Sequence, residues 1–153
     1  MTTHETEIFL KNLEQEMYGH NYEAHFEIEV IDKCETINEA RKYLSVRYND
    51  ARLFEVQPKL TNEQYLWYSI NYGFEYRGDD VSGLELTVEK AESLAIEAKK
   101  YESFIRQYLT ETTEIYGYPQ DSHVPYVFIF WGYSFILFNI EGELLFINGI
   151  STD

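Results

Sequence analysis

Cysteine and positively charged residues are scarce in this sequence of 153 residues. The single cysteine, Cys34, excludes an internal disulfide framework and is typical of a protein in a reducing compartment. Lysine and arginine number 12 against 27 aspartates and glutamates, which gives a formal net charge of −15. No lysine or arginine follows Arg106. A field of this sign disfavours nucleic acids and anionic membranes as partners and accelerates the encounter with basic proteins.

The common motifs of catalysis and cofactor binding are also missing. The sequence has no glycine-rich phosphate loop, no GxSxG nucleophile elbow and no pair of CxxC motifs. Its four histidines are scattered without the spacing of metal ligands: His4, His20, His25 and His123. We therefore expect a protein that is not an enzyme and that needs neither a cofactor nor a metal ion.

No segment has the pattern of a signal peptide or of a transmembrane helix. The N-terminal residues carry glutamates where a secretory signal needs basic residues followed by an apolar run. The uncharged run 126–140 is shorter than the roughly 20 residues that a helical span requires, and Glu141 and Glu143 follow it. We expect a cytoplasmic protein.

The C-terminal region 126–149 has the pattern of short buried strands. Turn residues divide it into three segments rich in β-branched and aromatic residues: Tyr126–Trp131, Phe135–Ile140 and Glu143–Ile147. Short apolar runs bounded by turn residues predict an antiparallel three-stranded meander that is covered on both faces. Glu141 and Gly142 are suited to a tight hairpin between the last two strands, because glycine accepts a positive φ.

A long helix is predicted over about 87–116. Apolar residues recur at steps of three and four from Val88 to Leu109, which traces one helical face. Thr87 is a suitable N-cap, and Gly117 followed by Pro119 is a suitable end. We expect this helix to pack against the meander and to bury Phe104.

The N-terminal half mixes helical and strand patterns. Two helices are predicted: Thr3–Tyr18 and Thr36–Tyr48, the second with the capping-box spacing of Thr36 and Glu39. Strands are predicted at Ala24–Ile31, Arg52–Val56, residues 65–76 and Leu84–Leu86. The segment "TNEQ" before Tyr65 is also a suitable helix start, so 65–76 has a helical alternative. The whole chain, residues 1–153, is predicted to form one α+β domain.

Exposed carboxylates and aromatic rings are the candidate binding residues of this chain. Six residues form the predicted partner-binding patch: Glu27, Glu29, Trp67, Tyr133, Glu141 and Glu143. The glutamates lie on the outward face of the strand Ala24–Ile31 and at the meander hairpin. Carboxylates steer a basic partner during its approach, and tryptophan and tyrosine are favoured anchors once it is bound.

In overall character the chain resembles the immunity proteins that bacteria encode beside their polymorphic toxins. It is small, acidic and rich in aromatic residues, and it closes with the strand pattern "FILFNIEGELLFINGISTD". This resemblance implies a non-enzymatic inhibitor, an antitoxin that masks the active surface of a cognate toxin. A basic toxin would complement the negative charge of the chain.

Two other functions stay open on the sequence. One is a small-molecule-binding or enzymatic domain with a pocket between sheet and helix. The other is an inhibitor that mimics DNA through ordered carboxylates. Cationic residues interrupt the long helix and count against such mimicry: Lys90, Lys99, Lys100 and Arg106.

Overall fold

Five antiparallel strands form a single sheet in the computed structural model, which describes residues 2–153. They are β1 (Glu23–Ile31), β2 (Lys59–Thr61), β3 (Glu114–Gly117), β4 (Gly132–Phe138) and β5 (Leu144–Thr152). Their order across the sheet is β1-β5-β4-β3-β2, so β1 and β2 are the two edges. β1 pairs with β5 along its whole length, from Glu23 opposite Thr152 to Ile31 opposite Leu144.

Five α-helices accompany the sheet within the described residues. They are α1 (Thr3–Glu16), α2 (Ile37–Arg47), α3 (Arg52–Glu55), α4 (Glu63–Glu75) and α5 (Val88–Arg106). Side chains cap the first turns of four of them: Thr2, Thr36, Asn62 and Thr87. Each cap accepts a hydrogen bond from a backbone N–H that has no partner inside the helix, which fixes where the helix begins. The predicted α+β class is thereby confirmed, together with α1, α2 and β1 to within a few residues.

Helices cover both faces of the sheet, so β4 and β5 are buried from either side. On one face α1, α4 and α5 pack an aromatic core, in which Phe26, Phe74 and Tyr101 are in contact. On the other face α2 and α3 pack a smaller core, in which Leu44 and Leu53 join Phe146. Every residue of β4, and every residue of β5 except Thr152, is buried. This confirms that the last two predicted strands are covered on both faces.

Hydrogen bonds satisfy the buried hydroxyls of Tyr22, Tyr101 and Tyr133 and the indole of Trp131. The hydroxyls of Tyr101 and Tyr133 lie 2.8 Å apart, and Trp131 Nε1 donates to the Tyr22 hydroxyl over 2.7 Å. Asn148 Nδ2 donates to the Tyr133 carbonyl over 2.9 Å. Since a buried polar group without a partner is destabilising, these contacts explain how so many tyrosines are accommodated inside the sheet core.

The predicted meander has two strands instead of three. Residues 126–131 form no strand, although Ile129 N–H donates to the Ser151 carbonyl and Ser151 N–H to that of Trp131. The first strand of the predicted meander would pair with β4, but β3 occupies one side of β4 and β5 the other, so β4 has no free edge for it. The hairpin between β4 and β5 is confirmed, with its turn at residues 139–143.

The predicted helix over 87–116 is too long. It begins at the Thr87 cap as expected and buries Phe104, but it ends at Arg106. Threonine hydroxyls then take over the backbone hydrogen bonding: Thr110 N–H donates to Thr113 Oγ1, and that hydroxyl donates to the Tyr108 carbonyl. Hydroxyl side chains compete with helical bonding in this way, and the residues beyond them form β3.

Three predicted strands of the N-terminal half are wrong. Arg52–Val56 is the single helical turn α3, and 65–76 is the helix α4. Leu84–Leu86 forms no strand, and only Gly83 beside it makes isolated bridges, to His20 and Gly78. The capping box of α2 is half formed, because Thr36 caps Glu39 N–H while the Glu39 carboxylate accepts from Glu35 N–H. Within residues 2–153 no helix has the length and apolar character needed to cross a membrane.

Candidate protein-binding groove

A groove of about 380 Å³ follows the outer side of β1, between α1 and the C-terminal end of α2. We call it the β1 groove. Its charged lining residues are Glu7, Lys11, Glu14, Glu27, Glu29 and Arg47. Its main apolar lining residues are Leu10, Phe26, Ile28, Val30, Phe104 and Tyr108. Four carboxylates face two cations, so the formal charge of the lining is −2.

Successive side chains of β1 point to opposite faces of the sheet, and this separates the two kinds of lining. Phe26 and Ile28 belong to the aromatic core on the α1 side. Glu27 lies between them in sequence and Glu29 follows Ile28, so both carboxylates project toward α2. Val30 is on the α1 side but stays 40% exposed, although the sequence pattern predicts that it points inward.

Tyrosines and one arginine orient the two β1 carboxylates. The Tyr126 hydroxyl donates to Glu27 Oε1 over 2.7 Å, and the Tyr43 hydroxyl donates to Glu29 Oε1 over 2.8 Å. Arg47 Nε lies 3.3 Å from Glu29 Oε2. The hydrogen bond to Glu29, followed by burial, raises the pKa of Tyr43 above its ordinary value. The tyrosine therefore stays protonated and keeps its donor role at neutral pH.

Glu14 closes one part of the groove. Its carboxylate accepts a hydrogen bond of 3.2 Å from the backbone N–H of Phe26. Burial raises the pKa of Glu14 above its ordinary value, and the hydrogen bond from Phe26 opposes this shift. A partly buried carboxylate thus satisfies a backbone donor at the sheet edge that otherwise has no partner.

The predicted carboxylates do not form one cluster. Glu27 and Glu29 line the β1 groove. Glu143 is exposed at the β4–β5 hairpin, and its charge adds to burial in raising the pKa of Tyr108, so it lies within electrostatic reach of the groove. Glu141 is exposed at the tip of the same hairpin and lines a different depression beside Thr110.

Neither aromatic candidate lines the β1 groove. Trp67 is half-buried in α4 with the Arg106 guanidinium 4.5 Å from its ring centre, and its Nε1 is buried without a hydrogen-bond partner. Tyr133 is only 4% exposed and is bonded to Tyr101, so the expectation that its ring points away from the core is wrong. The reason is that α4 packs against β4 and Tyr101 of α5 reaches the face on which Tyr133 lies.

Sequence reasoning missed the contributions of α1 and α2 to the groove. Glu7 and Glu14 are separated by two helical turns and flank Leu10, so their spacing places them on one helical face. That signal is present in the sequence. Arg47 and Tyr48 reach the groove only because α2 ends beside β1, and nothing in their local pattern indicates this.

A second aromatic surface lies on α4. Tyr65, Tyr68 and Tyr72 follow one another at steps of three and four and are exposed. The rings of Tyr68 and Tyr72 are 6.3 Å apart. The buried face of the same helix carries Leu66 and Ile70, again four residues apart.

Neither a metal-binding group nor an activated cysteine is found among the described side chains. Across residues 2–153 no three His, Cys, Asp or Glu side chains come together in a group able to hold a metal ion. The Cys34 thiol lies 3.4 Å from the Asp32 carbonyl, and burial raises its pKa, followed by the charges of Glu39 and Asp32. A raised pKa keeps the thiol protonated, which is the opposite of what a nucleophilic cysteine requires.

Comparison with known proteins bears on the fold. No protein-family model and no curated protein matches the chain. The structure is similar to the crystal structure of citrus MAF1 in two crystal forms, with 11% sequence identity in both. One alignment has a TM-score of 0.57 and covers 94% of this chain and 98% of the citrus chain. The other has a TM-score of 0.54 and covers 95% and 97%. At this identity the likeness shows a shared fold alone.

Proposed function

We propose that this chain is a non-enzymatic acidic binding protein whose partner is a basic protein received at the β1 groove. The observation that carries the proposal is the charge of that groove, where Glu7, Glu14, Glu27 and Glu29 outnumber the lining cations Lys11 and Arg47. The rest of the chain reinforces this field, since its formal net charge is −15. Such a field raises the association rate of a cationic partner and disfavours anionic ones.

Glu27 is the carboxylate best placed to pair with an incoming cation. Among residues 2–153 it takes part in no ion pair, whereas Glu29 is paired with Arg47. Its hydrogen bond from Tyr126 fixes the position of one carboxylate oxygen before a lysine or arginine of the partner arrives. A side chain held in place before binding loses less conformational entropy when the complex forms.

The partner class that we propose is a bacterial toxin, with this chain as its cytoplasmic immunity protein. Two features support this class: the small, acidic and aromatic-rich α+β character of the chain, and a negatively charged groove on its surface. A toxin that cleaves nucleic acid needs a basic surface to hold the phosphate backbone. A protein with the opposite charge can cover that surface and so block substrate access without any catalytic chemistry.

The direct test is co-expression with the reading frame encoded beside the gene for this chain. If that frame encodes a toxin that arrests growth, we expect this chain to restore growth and to co-purify with the toxin. Growth arrest that persists, with no complex between the two purified proteins, would contradict the immunity role.

Charge reversal locates the binding surface. Glu7→Lys with Glu27→Lys changes the charge of the groove, and Glu85→Lys with Glu92→Lys makes the same change in net charge at exposed positions outside it. We expect the groove variant to lower the association rate about tenfold relative to the control variant, because local charges act more strongly than distant ones. Equal rates for the two variants would contradict the groove assignment.

The size of the groove favours one alternative, a small-molecule site. Its volume of about 380 Å³ lies within the range of ligand pockets, about 300–1,000 Å³. Native mass spectrometry of the chain purified from its own host separates the two functions. A bound metabolite displaced by Glu27→Lys would favour the alternative, and a bound basic protein would favour the proposal.

A further inference from the structure

We infer that the partner enters the β1 groove as an extended segment that adds a strand to the free edge of β1, with apolar residues alternating with lysine or arginine. This inference rests on the proposed function and adds the conformation and sequence pattern of the segment that binds. It follows from three features: the position of β1 in the sheet, the direction of its backbone groups, and the separation of its two rows of side chains.

The first feature is the open edge. β1 is the last strand on its side of the sheet and pairs only with β5. Its nine residues make it one of the two longest strands in the described part of the chain. An edge strand presents a row of N–H and C=O groups that has no partner in the sheet, and another chain can pair with that row.

The second feature is the register, which tells which residues of β1 present their backbone groups outward. Ser151 N–H donates to the Trp131 carbonyl, so odd-numbered residues of β5 bond toward β4 and even-numbered ones toward β1. Asn148 and Phe146 are therefore bonded to their partners in β1, Glu27 and Glu29. By alternation, Phe26, Ile28 and Val30 direct their N–H and C=O groups away from the sheet.

The Glu14 contact supports this register independently. Its carboxylate reaches Phe26 N–H from outside the sheet, which is possible only if that N–H points away from β5. Glu14 therefore occupies the outward donor of Phe26. Within residues 2–153 the outward groups of Ile28 and Val30 have no protein partner, so they are the groups available for pairing.

The third feature is the pair of side-chain rows. A strand added beside β1 continues its pleat, so each residue of the segment points to the same face as the β1 residue opposite it. Residues opposite Ile28 and Val30 meet the apolar side of the groove, where Leu10 and Phe104 also lie. Residues opposite Glu27 and Glu29 meet carboxylates. Apolar residues alternating with lysine or arginine complement both rows.

Synthetic peptides of about six residues, the usual length of a strand, test the inference. The probe alternates valine and lysine. One control peptide has the same composition with the valines and lysines in separate blocks, and a second replaces lysine with glutamate. We expect saturable binding of the alternating peptide to the full chain, and at least about tenfold weaker binding of both controls, since each loses one row of contacts.

The amides of Ile28 and Val30 give the site-specific readout. Strand addition should slow hydrogen exchange at these two amides when the alternating peptide is present, and exchange at Glu27 and Glu29 should change little because β5 already protects them. Absence of saturable binding, or binding that leaves the amides of Ile28 and Val30 unprotected, would overturn the inference.

Val30→Pro removes one outward N–H and leaves the bonds to β5 in place, and Val30→Thr is the matched control that retains the N–H. We expect the proline variant to bind the peptide about tenfold more weakly than the threonine variant. If the proline variant does not fold, as judged by circular dichroism, the exchange measurement on the unaltered chain decides.

The same variants separate this inference from the proposed function. Suppose that Glu7→Lys with Glu27→Lys weakens the binding of a basic protein partner, and that this partner binds Val30→Pro and Val30→Thr equally well. This result would support the proposed function and overturn strand addition. Conversely, a peptide that protects Ile28 and Val30 in a chain that binds no basic protein would support the strand site and contradict the proposed function.

Discussion

The two edges of the sheet differ in length, charge and cover. β2 has only three residues, and it begins with the exposed Lys59. Short edge strands and exposed lysines are common ways to prevent unwanted pairing. β1 has nine residues, no lysine, and a groove beside it that carries mostly negative charge. β2 is therefore protected against any incoming strand, whereas β1 is protected only against one that is itself acidic.

This difference disfavours self-association through the open edge of β1. A second copy brought edge to edge at β1 would place Glu27 and Glu29 near the same residues of its partner. Both copies also have a formal net charge of −15, so the repulsion would extend beyond the contact. A basic segment meets no such barrier. The β1 edge thus favours a basic partner strand over an acidic one.

The largest predicted effect concerns the core under the β1 edge. Phe104 is buried and lines the floor of the groove, and replacing it with alanine should lower the free energy of unfolding by about 3–5 kcal/mol because a cavity is left behind. Leu60→Ala at the other edge is the control, since Leu60 is 62% exposed and should change it by less than about 0.5 kcal/mol. Urea denaturation measures both values. Similar decreases in the free energy of unfolding for the two variants would show that the core stabilises both edges of the sheet to the same extent.

The second prediction concerns alkaline pH and the start of β1. Burial raises the pKa of Tyr22 to about 12, above the value of about 10 expected in the unfolded chain. The contribution of the protonated Tyr22 hydroxyl to the free energy of unfolding is fully present below pH 10 and is lost as the pH rises through 12. It is lost because the tyrosine of the unfolded chain releases its proton at lower pH than that of the folded chain. This amounts to at most about 2.7 kcal/mol.

Tyr22→Phe should reduce this alkaline loss of stability, although it also removes the hydrogen bond from Trp131 and should lower stability at neutral pH. Tyr68→Phe is the control, since Tyr68 is exposed on α4. Denaturation at several pH values above neutrality gives the comparison. An alkaline slope that stays the same in Tyr22→Phe would contradict the assignment.

The third prediction separates the two glutamates of the β4–β5 hairpin. Glu143 is within electrostatic reach of the groove through Tyr108, whereas Glu141 borders a different depression. With a basic partner, Glu143→Lys should lower the association rate several-fold more than Glu141→Lys and should reduce its dependence on salt. Stopped-flow measurements across a salt series would show this, and the melting temperature should stay nearly constant. Equal decreases in the association rate for the two variants would indicate that the partner also contacts the hairpin tip.

The smallest predicted effect concerns Glu14. Burial raises its pKa above the unfolded value, so the favourable contribution is present at acid pH and is lost as the pH rises through the folded pKa. Glu14→Gln keeps an acceptor for Phe26 N–H and removes the ionised group. At neutral pH we expect the free energy of unfolding of this variant to be equal to that of the unaltered chain or higher by less than about 1 kcal/mol. The difference is small because solvent screens much of the charge of the partly buried carboxylate. Thermal unfolding at acid and neutral pH measures it, and a clear loss of stability at neutral pH would contradict the account.

The sequence correctly predicts the elements in which the spacing of apolar residues and, for helices, the capping residue indicate the same secondary structure. β1 alternates cleanly, and α1, α2 and the start of α5 have regular apolar steps behind a capping threonine. Residues 65–76 are predicted as a strand because apolar and aromatic residues recur at every second position from Leu66 to Tyr76. The steps from Tyr65 to Tyr68 and Tyr72 also fit a helix, and the Asn62 cap selects it.

The groove is only partly predictable from the sequence. Glu27 and Glu29 were identified from a strand pattern, which is local information. Their neighbours Arg47 and Tyr108 come from α2 and from the turn after α5, and only the packing of these elements around β1 brings them together. Tyr133 is misplaced for a different reason: the pattern puts it in a turn between two predicted strands, whereas it lies in β4, every residue of which is buried.

The pairing of β1 with β5 has a consequence for the order of folding. Ile31 pairs with Leu144, so the contact that completes this side of the sheet closes a loop that contains most of the chain. Contacts between distant residues form slowly, and during synthesis β1 must wait until β5 has left the ribosome. Until then β1 has no partner strand. Which of its N–H and C=O groups will point away from the sheet is therefore not yet fixed. A partner that recognises this edge therefore recognises only chains in which β5 has already been made and docked.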